Sequence, residues 1–92
     1  MSDCVSLLLV DDRPENLLVL ETLLWDLAGD IVRATSGEEA LGYLLSRDFA
    51  AVLLDVNMPG MSGLEVARHV RSRAKSRHTP IIFVTGYDDS PE

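Results

Sequence analysis

Residues 49–63 read FAAVLLDVNMPGMSG. The apolar run predicts a strand from Ala51 to Asp55 that is buried on both faces, as in parallel sheets covered by helices. Pro59 and Gly60 predict a loop after the strand. Asp55 therefore stands at the carboxyl end of a buried strand, where open parallel sheets gather their functional groups.

The sequence on either side of this strand repeats a strand-then-helix pattern. We predict further strands over 5–10, 30–34 and 81–85, and helices over about 14–28, 37–47 and 62–75. Four strands and three helices with short connections predict a doubly wound parallel α/β sheet. The expected helix starts are Asp12 as a cap with Pro14 in the first turn, and capping boxes at Ser36 with Glu39 and Ser62 with Glu65. The side chains expected to face the core are Leu17, Leu20, Leu24, Leu27, Ala40, Leu41, Leu44, Leu45, Leu64, Ala67 and Val70.

Polar side chains also end the first and fourth predicted strands: Asp11 and Asp12 end the first, and Thr85 ends the fourth. If strands one and three are neighbours, as in the flavodoxin-like order, Asp12 and Asp55 face each other across one crevice. Clustered carboxylates repel one another without a cation, and Mg2+ prefers oxygen ligands together with a phosphoryl group. The cluster therefore predicts a Mg2+ site. A carboxylate there could attack phosphorus and form an acyl phosphate, with Thr85 as a hydroxyl donor.

Composition restricts the other functions open to the chain. Its 92 residues predict one small domain, and 15 acidic against 8 basic residues give a net charge of -7. The negative electrostatic field of such a domain repels nucleic acid and anionic membranes, so we expect no direct contact with either. We expect a cytoplasmic protein, because Cys4 is the only cysteine and no apolar run approaches the ~20 residues that span a bilayer. The basic residues at and after the third helix, interpreted as a solvated helix end, are Arg68, Arg71, Arg73, Lys75 and Arg77.

Three segments together carry a family resemblance. VDD at 10–12, LDVNMPGMSG at 54–63 and PIIFVTG at 80–86 resemble the receiver domain of two-component response regulators. The resemblance implies a flavodoxin-like fold and a phosphoryl-accepting signalling domain. It implies no enzyme activity beyond the domain's own phosphorylation and dephosphorylation, and it implies a sensor histidine kinase or a histidine phosphotransfer protein as partner.

The resemblance also implies roles for single residues. Asp55 matches the phosphoacceptor, and Asp11 and Asp12 match the acidic pair that holds Mg2+. Of that pair, Asp12 is expected to bind the ion directly and Asp11 through water. Asn57 matches the residue whose backbone carbonyl completes the metal site.

Three positions after the fourth strand match the family's switch region. Thr85 matches the switch hydroxyl that moves toward the phosphoryl group, and Gly86 matches the small residue beside it. Tyr87, like Asn57, matches a position that tunes the lifetime of the phosphorylated state.

The family's domain has five strands and five helices. We therefore expect residues 1–92 to be a single receiver domain that lacks the fourth helix, the fifth strand and the fifth helix. The lysine that pairs with the phosphoryl group would be missing as well, because Lys75, the only lysine, follows helix three. An uncovered fourth strand and an uncovered face of helix one would favour self-association, so we expect a homo-oligomer.

The sequence also leaves alternative functions open. The main one is a non-phosphorylated dimerisation or scaffold module, which would not bind Mg2+. A flavin-binding protein is disfavoured because residues 11–14, DDRP, are not a hydroxyl- and glycine-rich phosphate cradle, and a phosphohydrolase because the first strand lacks Asp-x-Asp. His69 and His78 are expected on the surface, and Trp25 is expected to pack.

Overall fold

The computed structural model of the protein describes residues 5–84, which form the predicted α/β sheet. Strands and helices alternate along the chain as β1 Ser6–Val10, α1 Pro14–Leu24, β2 Asp30–Ala34, α2 Gly37–Ser46, β3 Ala51–Asp55, α3 Gly63–Ser72 and β4 Ile81–Val84. The four strands are parallel, in the order β2-β1-β3-β4. The chain thus adds β2 on one side of β1 and then crosses to add β3 and β4 on the other, which confirms the doubly wound, flavodoxin-like fold.

The two faces of the sheet are covered by different helices. Helices α2 and α3 pack on one face, where Leu8, Val10, Val52 and Leu54 of the strands are buried. Helix α1 packs on the opposite face through Leu17, against a smaller set of strand residues. Alternate strand residues point to opposite faces, which is why both sets come from unbroken apolar runs.

Helix α1 ends earlier than predicted, at Leu24 rather than near residue 28. The amides of Gly29 and Asp30 both donate to the carbonyl of Val5, so the chain must leave the helix to begin pairing with β1. Two side chains predicted to pack in the protein are consequently exposed, so these two predictions are wrong. Leu27 is exposed, and Trp25, expected to pack, has 66% of its surface accessible.

The predicted helix starts are partly correct. Asp12 is not the cap of α1: Arg13 is the N-cap residue and makes no side-chain capping bond. The box at Ser62 and Glu65 is complete. At α2, Ser36 accepts from the amide of Glu39, but the Glu39 carboxylate accepts from the amide of Thr35 instead of closing the box.

Two other predicted core positions, Leu45 and Leu64, are exposed. In α3 the buried stripe is formed by Gly63, Val66 and Val70, at spacings of three and four residues. Leu64 lies one residue off that stripe, which directs its side chain to solvent. Helix α3 also ends at Ser72, before the predicted limit near residue 75.

Candidate functional site

The carboxyl ends of β1 and β3 bring three aspartates together. In the sheet register Val10 pairs with Leu54, so the next residues along the two strands are Asp11 and Asp55. Asp12 follows directly. The order β2-β1-β3-β4 makes this the point where the winding of the sheet reverses, which leaves a crevice outside the strand ends.

The three aspartates form a compact group of oxygen donors. One carboxylate oxygen from each of Asp11, Asp12 and Asp55 can be chosen so that all lie within 4.8 Å of one another. Asp11 and Asp55 are buried, with 2% and 4% of their surface exposed, and Asp12 is half-buried. Three carboxylates packed this closely repel one another strongly where water is excluded. The donor set fits a hard divalent cation such as Mg2+, whose charge would offset that repulsion.

Asp11 is held in place by two donors from the start of α1. The amide of Arg13 donates to Oδ1 at 3.0 Å, and Nδ2 of Asn16 donates to Oδ2 at 3.2 Å. The Asp11 carboxylate therefore fixes the approach of α1 to the strand end and is itself oriented by it. Asn16 was not predicted as a site residue, and its only sequence signal is an amide five positions after Asp11.

Asp55 is positioned by the loop that follows β3. The amide of Asn57 donates to its Oδ1 at 3.4 Å. Gly60 adopts a φ of +80°, a left-handed conformation that a glycine reaches without strain, and the chain then reverses into α3. Asn57 itself is exposed. Its predicted role as a backbone ligand stays a prediction.

Gly63 lets α3 begin directly against the end of β3. A Cβ added there would lie 2.1 Å from the backbone oxygen of Asp55 and 2.8 Å from the Cα of Val56. The Gly63 amide also donates to the carbonyl of Val56 at 2.9 Å. Gly63 belongs to the predicted motif, but its close contact with Asp55 is visible only in three dimensions.

Some of the other residues named from the sequence lie outside the described part of the chain, and others lie on its surface. Thr85, Gly86, Tyr87 and Cys4 lie outside the described residues; the sheet register pairs Asp55 with Val84, the residue before Thr85. His69 and His78 are exposed, as expected, and so is Lys75. Among residues 5–84, no helix combines the length and the apolar character needed to cross a bilayer.

Comparison with known proteins gives consistent matches. The family model for the response regulator receiver domain matches residues 7–92. The chain is 36% identical over 83 residues to the sensor histidine kinase GacS of Pseudomonas protegens, a match that covers 87% of this chain and 9% of the kinase. It is 35% identical over 82 residues to the chemotaxis protein CheY of Pseudomonas aeruginosa, covering 88% of this chain and 66% of that protein. The chain therefore spans only part of each relative's length.

Solved structures agree with the sequence matches. The response regulator protein TrrA from Thermotoga maritima, in complex with Mg(2+)-BeF, is 40% identical to this chain. The two structures superpose with a TM-score of 0.82, over 90% of this chain and 70% of that one.

Proposed function

The chain belongs to the response regulator receiver domain family, whose general property is phosphorylation on an aspartate, and we propose that its phosphoacceptor is Asp55. The observation that carries this proposal is the convergence of three carboxylates within 4.8 Å at the ends of β1 and β3. Asp11 and Asp12 are then the acidic pair that holds Mg2+ beside Asp55. The backbone carbonyl of Asn57 would complete the set.

In the proposed reaction an Asp55 carboxylate oxygen attacks phosphorus. A bond forms between that oxygen and the phosphoryl group as the bond to the donor breaks, and the donor leaves with the electron pair. The amide of Asn57 donates to one carboxylate oxygen of Asp55, and the burial of Asp55 limits the access of bulk water to this carboxylate. When bound, Mg2+ neutralises charge on the phosphoryl oxygens.

Thr85 is proposed as the switch hydroxyl that hydrogen-bonds the phosphoryl group. The support is positional, because Asp55 pairs with Val84 and Thr85 follows Val84 in the sequence. This role rests on register and family resemblance alone.

The proposed donor is a sensor histidine kinase or a histidine phosphotransfer protein. Its support is the similarity to a sensor histidine kinase, of which this chain matches 9%. Receiver domains are generally signalling modules without enzyme activity, and we propose that this one promotes only its own phosphorylation and dephosphorylation. A cytoplasmic location is proposed with it.

The function is tested by incubating the protein with Mg2+ and acetyl phosphate and measuring its intact mass. Uptake of one phosphoryl group is expected in the wild type and no uptake in Asp55→Asn. Asp48→Asn is the matched control, because Asp48 is an exposed aspartate in the loop before β3 and the substitution removes the same charge. Equal uptake by wild type and Asp55→Asn would contradict the proposal.

A second candidate function is self-association as a dimerisation or scaffold module. It is favoured by Ile82 and Phe83 of β4, which are 52% and 44% exposed on a strand at one edge of the sheet formed by residues 5–84. Leu23 of α1 and Trp25, which directly follows the helix, are exposed as well. Exposed apolar side chains at a sheet edge or on a helix commonly form an interface.

A further inference from the structure

Charge is unevenly distributed along this chain. Residues 68–78 contain five of its eight basic residues and no aspartate or glutamate. All 15 acidic residues and only three basic ones lie in the rest. The five basic side chains, which we call the basic surface, are Arg68, Arg71, Arg73, Lys75 and Arg77.

The basic surface differs from the other basic residues in its pairing. Each of the three basic side chains outside it forms a salt bridge with a carboxylate. These pairs are Arg13 with Glu15 at 3.5 Å, Arg33 with Glu21 at 3.4 Å, and Arg47 with Asp30. Between residues 5 and 84, no carboxylate pairs with the basic surface, and the buried Nη1 of Arg73 has no hydrogen-bond acceptor. The positive charge of the basic surface is therefore not offset by a carboxylate among residues 5–84.

The segment that carries these charges is ordered by its own hydrogen bonds. Nη1 of Arg71 donates to the carbonyls of Arg77 and Thr79, at 3.0 and 2.7 Å. Ser76, 4% exposed, donates its hydroxyl to the carbonyl of Val70 at 2.8 Å. A loop fixed in this way loses little conformational freedom when it binds a partner.

Cations at the end of a helix are common because they suit the helix dipole, and Arg71 fits that explanation. Lys75 and Arg77 do not, since they follow the helix and their side chains make no hydrogen bond among the described residues. Both are exposed, as is Arg68. They are therefore available to another molecule.

Four of the five residues of the basic surface lie near or beyond the end of α3, away from the aspartate cluster, and Arg68 lies in the middle of the helix. Helix α3 begins at Gly63 beside Asp55 and ends at Ser72, about 15 Å away at 1.5 Å per residue. The segment that follows leads into the amino end of β4. A molecule bound at the basic surface therefore leaves the aspartate cluster accessible.

We propose that the basic surface binds a short acidic segment of a partner protein. The partner segment should be anionic, because the basic surface attracts negative charge. It should be short, because the acidic residues in the rest of the chain would repel a longer anion. Interactions between exposed charges are screened beyond ~8 Å at physiological ionic strength. A segment confined to the basic surface is attracted, whereas a long nucleic acid would extend over the acidic remainder and be repelled.

The test uses a fluorescently labelled peptide of about ten alternating Glu and Asp residues, with binding followed by anisotropy. Saturable binding that weakens as salt is added is expected. Arg68→Gln, Lys75→Gln and Arg77→Gln combined should weaken it about tenfold, since each exposed charge pair contributes modestly. The control combines Thr22→Glu, Arg33→Gln and Gly42→Glu, which lowers the net charge equally at exposed positions outside both the basic surface and the exposed apolar side chains of α1. It should change affinity less than about twofold.

Four results would overturn the proposal. Absence of saturable binding would show that the basic surface does not hold an acidic segment, and equal weakening by the two triple variants would show that only net charge matters. Tighter binding of a thymidine oligonucleotide of equal charge would assign the surface to nucleic acid. Sedimentation that shows self-association in the wild type and its loss in the combined Arg68→Gln, Lys75→Gln and Arg77→Gln variant would assign the surface to a second copy of this chain. Circular dichroism of both triple variants confirms that the comparison is made between folded proteins.

Discussion

The three aspartates of the site differ in how firmly they are held. Asp11 is fixed by the amide of Arg13 and by Nδ2 of Asn16, and it is almost fully buried. Asp12 is half-buried and lies next to it at the mouth of the crevice. We propose Asp12 as the direct ligand, because its half-buried carboxylate can exchange water for a cation.

Replacing Asp12 with asparagine should lower Mg2+ affinity by about tenfold or more, because it removes one negative charge from a close cluster while keeping the side-chain size. Isothermal titration calorimetry would measure this change. Asp48→Asn, at an exposed aspartate outside the cluster, should leave the affinity unchanged. Equal affinities in wild type and Asp12→Asn would remove Asp12 from the metal site.

The sequence was sufficient to predict that the three aspartates meet, but not which residues support them. Asp11, Asp12 and Asp55 each follow an apolar run, and parallel strands bring such ends together. Asn16 and Gly63 have no comparable signal, because their roles depend on how closely α1 and α3 approach the strand ends. That approach is a property of tertiary packing.

At the scale of elements, the junction between β3 and α3 controls the position of Asp55. Gly63 has no side chain, so the first turn of α3 can rest on the carbonyl of Asp55. The complete capping box of Ser62 and Glu65 fixes where that turn begins. The start of α3 and the carboxyl end of β3 are consequently packed closely together.

Gly63→Ala should destabilise the protein by about 1 to 3 kcal/mol, because a Cβ 2.1 Å from the Asp55 oxygen forces the backbone apart. Gly42→Ala is the matched control. A Cβ at Gly42, in α2, would meet no atom within 4 Å, so alanine there should stabilise by about 0.5 to 1 kcal/mol. Urea unfolding followed by circular dichroism measures both changes. Equal changes in the free energy of unfolding would contradict the packing described at Gly63.

Element limits were predicted best where the sequence carries a local signal. The limits of β3 match the prediction because an apolar run is bounded by a loop, and the start of α3 matches because of its capping box. The end of α1 does not match. The periodicity of its leucines continues to Leu27, but the need to pair β2 with β1 ends the helix at Leu24. A constraint from residues distant in the sequence produces no signal near the end of the helix from which that end could be predicted.

At the scale of the whole molecule, the two faces of the sheet are unequally covered. One face carries α2 and α3, while α1 is the only helix on the other among the described residues. Ile82, which lies on the α1 face of β4 by register with Leu53, is consequently half exposed. The apolar surface left in this way explains why we expect self-association.

Sedimentation velocity at micromolar concentration should show dimers or larger species. Ile82→Thr keeps a strand-forming residue on β4 and should reduce association if β4 forms the contact, whereas Leu23→Gln with Trp25→Gln tests the face of α1. A monodisperse monomer in the wild type would contradict self-association. Association unchanged in both variants would contradict these two surfaces.

The central claim is that Asp55 accepts a phosphoryl group beside a Mg2+ site formed with Asp11 and Asp12. Its most direct test is to locate the group after incubation with acetyl phosphate, by borohydride trapping of the acyl phosphate followed by peptide fragmentation. We predict modification at Asp55 alone, only when Mg2+ is present. Modification at another aspartate, or at Asp55 to the same extent without Mg2+, would contradict the claim.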